Sequence, residues 1–353
     1  MSTKRENIPQ PAPLVEVTRG QIIESRHRGH IIAVDAEGRV IARLGQPQVV
    51  TYLRSSAKPF QAVPLVNTGA ATRFGFTEKE IAIACASHNG EAIHTETVSN
   101  MLKKIGLDQS ALKCGVHEPF SAEVAEELRA SGQSPTVLHN NCSGKHTGML
   151  ALALHLGAPV ETYDRIDNPV QQAILRSVSE FSGAPRDKIA LGVDGCGAPV
   201  FGVSVRAMAL MYARLVTQPE SFCDDLSRDA ARRISRAMTT YPEIVGGRAE
   251  RLDTKVMLAG KGAIVSKVGA EGVYTAGVLP SDTWPRGLGI AIKMEDGEDR
   301  RSRPTVVIET LRQLGILDAA AIEELAPYSR FPLRNHRGDE VGEVRARFEL
   351  EKA

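Results

Sequence analysis

Short apolar segments joined by tight turns stand at both ends of this chain, with helical patterning between them. That arrangement limits the folds open to it. Ile31 to Asp35 and Val40 to Leu44 flank the turn Ala36-Glu37-Gly38, a hairpin signal. The C-terminal third repeats the habit with Gly262 to Val268, a Gly-bearing turn, Gly272 to Val278, and then Leu288 to Lys293. Neighbouring strands joined by tight turns pair antiparallel, because a parallel pair needs a long crossover.

Between these ends the period changes. Thr77 and Glu80 form a capping box ahead of the apolar run Ile81 to Ala86, which delivers Ser87 near a helix end. Lys145 to Leu156 reads as a helix closed by Gly157. Asn168-Pro169 opens another, whose Val170, Ile174, Val178 and Phe181 keep helical spacing until Gly183. Pro304 opens a last helical pattern that stops at Gly315. The expected fold class is α/β of the α+β type: one antiparallel sheet built from both chain ends, with a helical block inserted. Such a split puts a site in the cleft between the parts. Met1 to Pro13, polar and rich in proline, is expected to be a flexible tail. Residues 14–353 read as a single domain, its sheet part at about 14–50 and 255–353 and its helical part at about 51–254. No internal repeat, heptad run or low-complexity segment interrupts it.

Composition narrows the partners. Forty-three basic residues stand against 42 acidic ones, a net charge of +1, so neither nucleic acid nor an anionic membrane is expected as a partner. Five cysteines (Cys85, Cys114, Cys142, Cys196 and Cys223) are too sparse and odd a set for a disulfide framework. With no apolar core of a signal peptide near Met1, the expected location is cytoplasmic.

Three motifs carry chemistry. Ser55-Ser56-Ala57-Lys58 is S-x-x-K, Ser87-His88-Asn89 is S-x-N, and Lys267-Val268-Gly269 is K-x-G. Their order is that of the S-x-x-K, S-D-N and K-T-G elements of penicillin-recognising serine hydrolases. On a helix, residues three apart share a face, so Lys58 Nζ is expected to reach Ser55 Oγ. An amine that loses its charge through burial can accept a hydroxyl proton. Pro59 disfavours helical angles at Lys58, a conflict that shrinks if the helix starts near Ser55.

Two further clusters qualify. Asn140-Asn141-Cys142-Ser143-Gly144-Lys145-His146 runs into a helix, where exposed amides, that of Gly144 included, make a seat for a carboxylate. The plain alternative is a capping loop. Asp194-Gly195-Cys196-Gly197 follows the strand-like Ile189 to Val193; Asp194 there would bind a substrate ammonium, or the segment is an ordinary Asp-Gly turn. Lone cysteines such as Cys142 and Cys196 are usually buried apolar residues. A zinc site would need further donors, and Lys145 and His146 lie close by in sequence. His88, adjacent to Ser87, points away from it on a helix. Gly260-Lys261-Gly262 lacks the spacing of a nucleotide loop.

Taken together, these residues resemble the Rhizobium etli-type L-asparaginases, the class 3 or asparaginase II family. The stretches that carry the likeness are Arg54 to Pro59, Cys85 to His88, Asn141 to His146, Asp194 to Cys196 and Ser266 to Ala270. They are collinear over nearly the whole chain, from about Leu14 to beyond Arg330. The resemblance implies a fold like that of serine β-lactamases and glutaminases, and hydrolysis of L-asparagine to L-aspartate and ammonia. It implies two Ser-Lys tandems, Ser55 with Lys58 and Ser87 with Lys267. It also implies a zinc ion on Cys142, Lys145 and Cys196, substrate contact by Asp194, a pocket shell containing Arg54 and His146, and a homodimer. A β-lactamase or D-peptide hydrolase is the alternative among enzymes. A non-catalytic amino-acid sensor is the alternative outside them.

Overall fold

The structure, a computed structural model, describes residues 10–248 and 251–353. Its strands are β1 (Ala12–Arg19), β2 (Ile22–Val34), β3 (Val40–Leu44), β4 (Val50–Tyr52), β5 (Ala190–Val193), β6 (Pro199–Ser204), β7 (Ile264–Gly269), β8 (Val273–Val278), β9 (Leu288–Met294), β10 (Arg330–Arg334), β11 (Glu340–Ala346) and β12 (Glu351–Lys352). The main sheet runs β10-β11-β1-β2-β9-β8-β7, with β3 and β12 paired beside β2. The pairings in it are antiparallel. The α+β reading holds: both chain ends supply this sheet, and the middle of the chain is largely helical.

Three details differ from the sequence reading. A second, three-stranded sheet, β4-β6-β5, sits within the middle region; the apolar run Pro199–Ser204 after the Gly-rich turn is its central strand. The C-terminal hairpin of β10 and β11 went unread, because charged residues alternate along both strands and mask their apolar face. And β1 starts at Ala12, which pairs with Gly29, so Ala12 and Pro13 are strand rather than tail. Residues 1–9 of that expected tail lie outside the described residues.

Strand alternation sends Ile32 and Val34 to one face of the main sheet and Ile31 and Ala33 to the other. The first face meets the helical block. The second is covered by the helix Ser302–Gln313 through Val306, Val307, Ile308 and Leu311. A sheet buried on both faces explains why β8 and β9 read as continuous apolar runs.

The helix Val205–Thr217 joins block to sheet. It lies on Gly277 and Gly289, which are directly paired across β8 and β9. A Cβ on Gly289 would stand 1.8 Å from Ala209 O, and one on Gly277 would stand 2.6 Å from Val216 Cγ1. The two glycines are a notch that lets backbone meet backbone. From this helix Tyr212 donates its hydroxyl to Ser56 O at 2.8 Å, fixing the turn that carries Ser55. Because the obstacle at Gly289 is main chain, Gly289→Ala should destabilise the protein by roughly 1–3 kcal/mol or more. Urea denaturation followed by circular dichroism checks this; a wild-type midpoint would show that the notch is not needed.

Candidate active site

Arg54–Ala57 form a single 3-10 turn, and the helix proper begins at Lys58, with Pro59 in its first turn. Proline is accepted there because first-turn amides have no helical partners. Arg54 itself adopts a left-handed backbone at φ 51°, a conformation that costs a non-glycine residue about 1–3 kcal/mol and persists only where surroundings enforce it. Here its Nε donates to Asp194 Oδ1 at 3.0 Å. Gly269 supports the same turn from the sheet: a Cβ on it would lie 2.7 Å from Leu53 O. The K-x-G glycine therefore lets β7 close onto the turn before Ser55.

Lys58 is 1% exposed. Its Nζ donates to Ala86 O at 2.5 Å and Asn141 O at 3.2 Å, and lies 2.9 Å from Ser87 Oγ. This differs from the expected pairing: the Lys58 backbone N–H donates to Ser55 O, but among the described residues no hydrogen bond joins the Lys58 amine to Ser55 Oγ. The helix proper starts at Lys58 with Ser55 in the 3-10 turn before it, and the buried amine turns to the carbonyls of Ala86 and Asn141. Ser55 is half-buried. Burial pulls the Lys58 amine below the ordinary lysine range, with Lys145 adding to the effect and the Cys142 and Cys196 sulfurs opposing it.

Ser87 stands just past the helix Glu78–Ala84, whose Thr77–Glu80 capping box is present as expected. Its N–H donates to Val245 O at 2.9 Å and its carbonyl accepts from Arg251 Nη2 at 2.7 Å. Arg251 also reaches Asn89 Oδ1 at 3.1 Å, so one guanidinium holds both ends of S-x-N. His88 points elsewhere, as expected. Its Nδ1 accepts from Gly90 N–H, so its Nε2 proton goes to Ser143 Oγ at 2.9 Å. Burial, with His94 stacked on it at 4.9 Å, holds His88 neutral, well below the usual histidine range. Lys267 does not bond Ser87 either. Its amine sits on Asp253 Oδ2 at 3.2 Å, both side chains without exposed surface. Asp253 and Arg251 escaped the sequence reading, since an acid or an arginine near a helix start looks like ordinary surface charge.

The helix Ser143–Leu156 and the turn after β5 bring the sulfur cluster together. Lys145 Nζ lies 3.0 Å from Cys196 Sγ. A hydrogen bond from the Cys142 thiol, then Lys145 and His146, hold Cys196 far below the thiol range despite burial; the same bond, together with burial, pushes Cys142 well above it. The two sulfurs act as a pair, with negative charge favoured on Cys196. Burial works against the Lys145 charge, but Cys196, Cys142 and Asp194 outweigh it and raise this lysine above its ordinary range. Tyr163 Oη accepts Lys113 N–H at 2.8 Å and shares a hydrogen bond with His146 Nδ1, also at 2.8 Å. The other side of the His146 ring interacts with the Cys196 sulfur. Gly144 lies where two helices meet: a Cβ on it would stand 2.3 Å from Ile83 O.

Among the described residues no group of three or more His, Cys, Asp and Glu could hold a metal ion. The set Cys142, Lys145 and Cys196 has two sulfurs and depends on a lysine as its third donor. These donors do converge, and the Lys145 amine already sits on the Cys196 sulfur, so the place is built for a cation. Zinc with two sulfurs and an amine nitrogen is chemically reasonable there.

A buried amine on a hydroxyl, a second buried amine on a carboxylate, and a part-exposed Arg-Asp pair lie at the junction of sheet and helical block, the frame of an amidohydrolase. The L-asparaginase II family matches residues 15–346. This chain belongs to that family. Among solved structures, a Bacillus glutaminase crystallised in 4.3 M NaCl is 14% identical, over 82% of this chain and 91% of that one, at a TM-score of 0.38. A Bacillus subtilis glutaminase in covalent complex with 5-oxo-L-norleucine is 14% identical over 82% and 89%, also at 0.38. Superpositions this loose transfer no residue's role. No curated protein matches.

Proposed function

We propose that this protein is an L-asparaginase of the Rhizobium etli-type class, hydrolysing L-asparagine to L-aspartate and ammonia through a serine ester. The observation that carries this reading is the buried Lys58 amine 2.9 Å from Ser87 Oγ, in a chain of the L-asparaginase II family. Asp194 binds the substrate ammonium, and Arg54 beside it meets the carboxylate. Ser55, half-buried at the end of the strained turn, attacks the side-chain amide carbon, and the neutral Lys58 amine takes its proton. Ser87 passes that proton from Lys58 to the departing nitrogen, which leaves as ammonia. Water then cleaves the ester by the reverse proton route. The Lys267 cation steadies the negative charge that develops.

One observation favours a second reading. Lys58 touches Ser87 and not Ser55, so Ser87 would be the nucleophile and Ser55 the relay. Acyl-enzyme trapped in acid and mapped by mass spectrometry separates the two: we expect the ester on Ser55. Ser55→Ala should lower turnover by roughly 10⁶, the scale of losing a nucleophile, and Ser87→Ala should slow it less. An ester on Ser87 would reverse the roles. Ammonia release from asparagine and glutamine, beside the colour change of a chromogenic β-lactam, tests the substrate itself; ring opening of the β-lactam with both amides inert would replace asparagine as substrate.

Zinc belongs to the same proposal, held by Cys142, Lys145 and Cys196. When bound it would let both sulfurs be thiolates side by side and fix the loop that precedes the Ser143 helix. Two serines with lysine partners already supply nucleophile and base, so chelation should raise KM more than it lowers kcat, with zinc content followed by metal analysis. Metal-free protein that binds asparagine normally yet turns nothing over would make the ion catalytic. A homodimer and a cytoplasmic location complete the reading, and light scattering should give twice the chain mass. No helix among the described residues is long and apolar enough to cross a membrane.

A further inference from the structure

Motif order pairs Lys267 with a serine, yet its amine is committed elsewhere. Lys267 Nζ donates to Asp253 Oδ2 at 3.2 Å and to Val268 O at 3.1 Å, using two of its three protons. Asp253 Oδ1 accepts Val268 N–H at 2.8 Å and the Ser266 hydroxyl at 3.1 Å. Tyr274 Oη lies 3.0 Å from Ser266 Oγ and can return a proton to it. Every neighbour of the carboxylate is a donor, so Asp253 is ionised, and a fully buried carboxylate needs a counter-charge. Lys58 has no carboxylate partner: its amine bonds two carbonyls and a hydroxyl, and the groups that favour its charge are the sulfurs of Cys142 and Cys196, which burial outweighs.

The two amines repel, so each disfavours the other's charge. The other groups around Lys267 do not replace Asp253. Arg251, before the helix Leu252–Ala259, is a cation and opposes the charge. Cys85 is pushed up by burial to about 12 and is a neutral thiol. Tyr212 and Tyr274, which flank Asp253, are raised and neutral. Arg54, on the turn packed against β7, is matched by Asp194. We propose that Asp253 is a positioning residue of the reaction: it holds Lys267 in place as an ammonium, so that one lysine of the pair stays cationic while the other is free to act as base. The third Lys267 proton is left for negative charge developing on the substrate. This rests on the amidohydrolase reading above. Burial lowers Lys267 to about 8, with Asp253 opposing the fall. Its ammonium is therefore present below that pH and lost above it, and activity should fall on the alkaline side.

The test follows the Lys267 amine directly and through turnover. With [15N]lysine-labelled protein, the Nζ resonance that disappears in K267M identifies Lys267. In D253N the side-chain amide keeps an acceptor for Val268 N–H but offers no charge, so the Lys267 midpoint should drop by a pH unit or more. In parallel the alkaline limb of kcat, measured at saturating asparagine so that the free substrate amine does not contribute, should shift down with it, and kcat should fall at least tenfold. D253E should restore both. An unmoved Lys267 midpoint in D253N overturns the proposal, as does a midpoint that moves while the kcat limb stays. Should D253N fail to fold, K267M decides: a wild-type alkaline limb in K267M overturns the proposal, and its loss supports it. Wild-type protein that releases no ammonia from asparagine or glutamine fails the functional reading instead, which the Nζ titration distinguishes.

Discussion

A lysine amine taken out of water must find acceptors, and at Lys58 burial also works against its charge. The amine is 1% exposed. Its acceptors come from two loops, Ala86 and Ser87 on one and Asn141 on the other, so satisfying one nitrogen draws both to the start of one helix. The desolvation that lowers its pKa also makes an unfilled partner costly. The position of Ser87 and the course of the chain before the Ser143 helix both depend on that nitrogen.

The sheet meets this cluster through close approaches that only glycine permits. Gly277 and Gly289 seat the Val205–Thr217 helix, and Tyr212 on that helix reaches Ser56 O. Gly269 admits Leu53 O against β7. Lys267 rides on β7, so the strand that carries the second amine and the turn that carries Ser55 are spaced by backbone contact rather than by side chains. Packing of this kind is stiff, which suits groups that must be held within hydrogen-bond reach.

Much of this was legible in the sequence. Strand limits at Val40–Leu44 agree to the residue, and the Asn168 cap and Gly183 stop of one helix stand where expected, because caps and turns are local chemistry. The motif order found the right segments of the site. Partners were harder. Helical spacing suggested Ser55 with Lys58, but the helix begins one turn later, and tertiary acceptors decided where the amine went. Asp253 was invisible because its burial depends on β7, a long-range contact, while locally it is an acid in a first helical turn. The close approach of Gly144 to the Ile83 carbonyl was hidden too, because nothing nearby in sequence announces it.

The site closes on itself. Ser55 follows Arg54; Arg54 bonds Asp194; Asp194 leads into the turn of Cys196, whose sulfur takes the Lys145 amine and the Cys142 thiol. Cys142 follows Asn141, whose carbonyl holds Lys58. Serine and lysine, three residues apart and without a bond between their side chains, are thus joined through this chain of contacts. The charges around this ring are matched, Arg54 by Asp194 and Lys145 by the Cys196 sulfur, with Lys267 and Asp253 paired behind it. A pocket balanced in this way offers separate positive and negative points without a net field. An amino acid carrying one charge of each sign can exchange partners with such pairs, whereas a ligand of single charge would leave one buried group uncompensated.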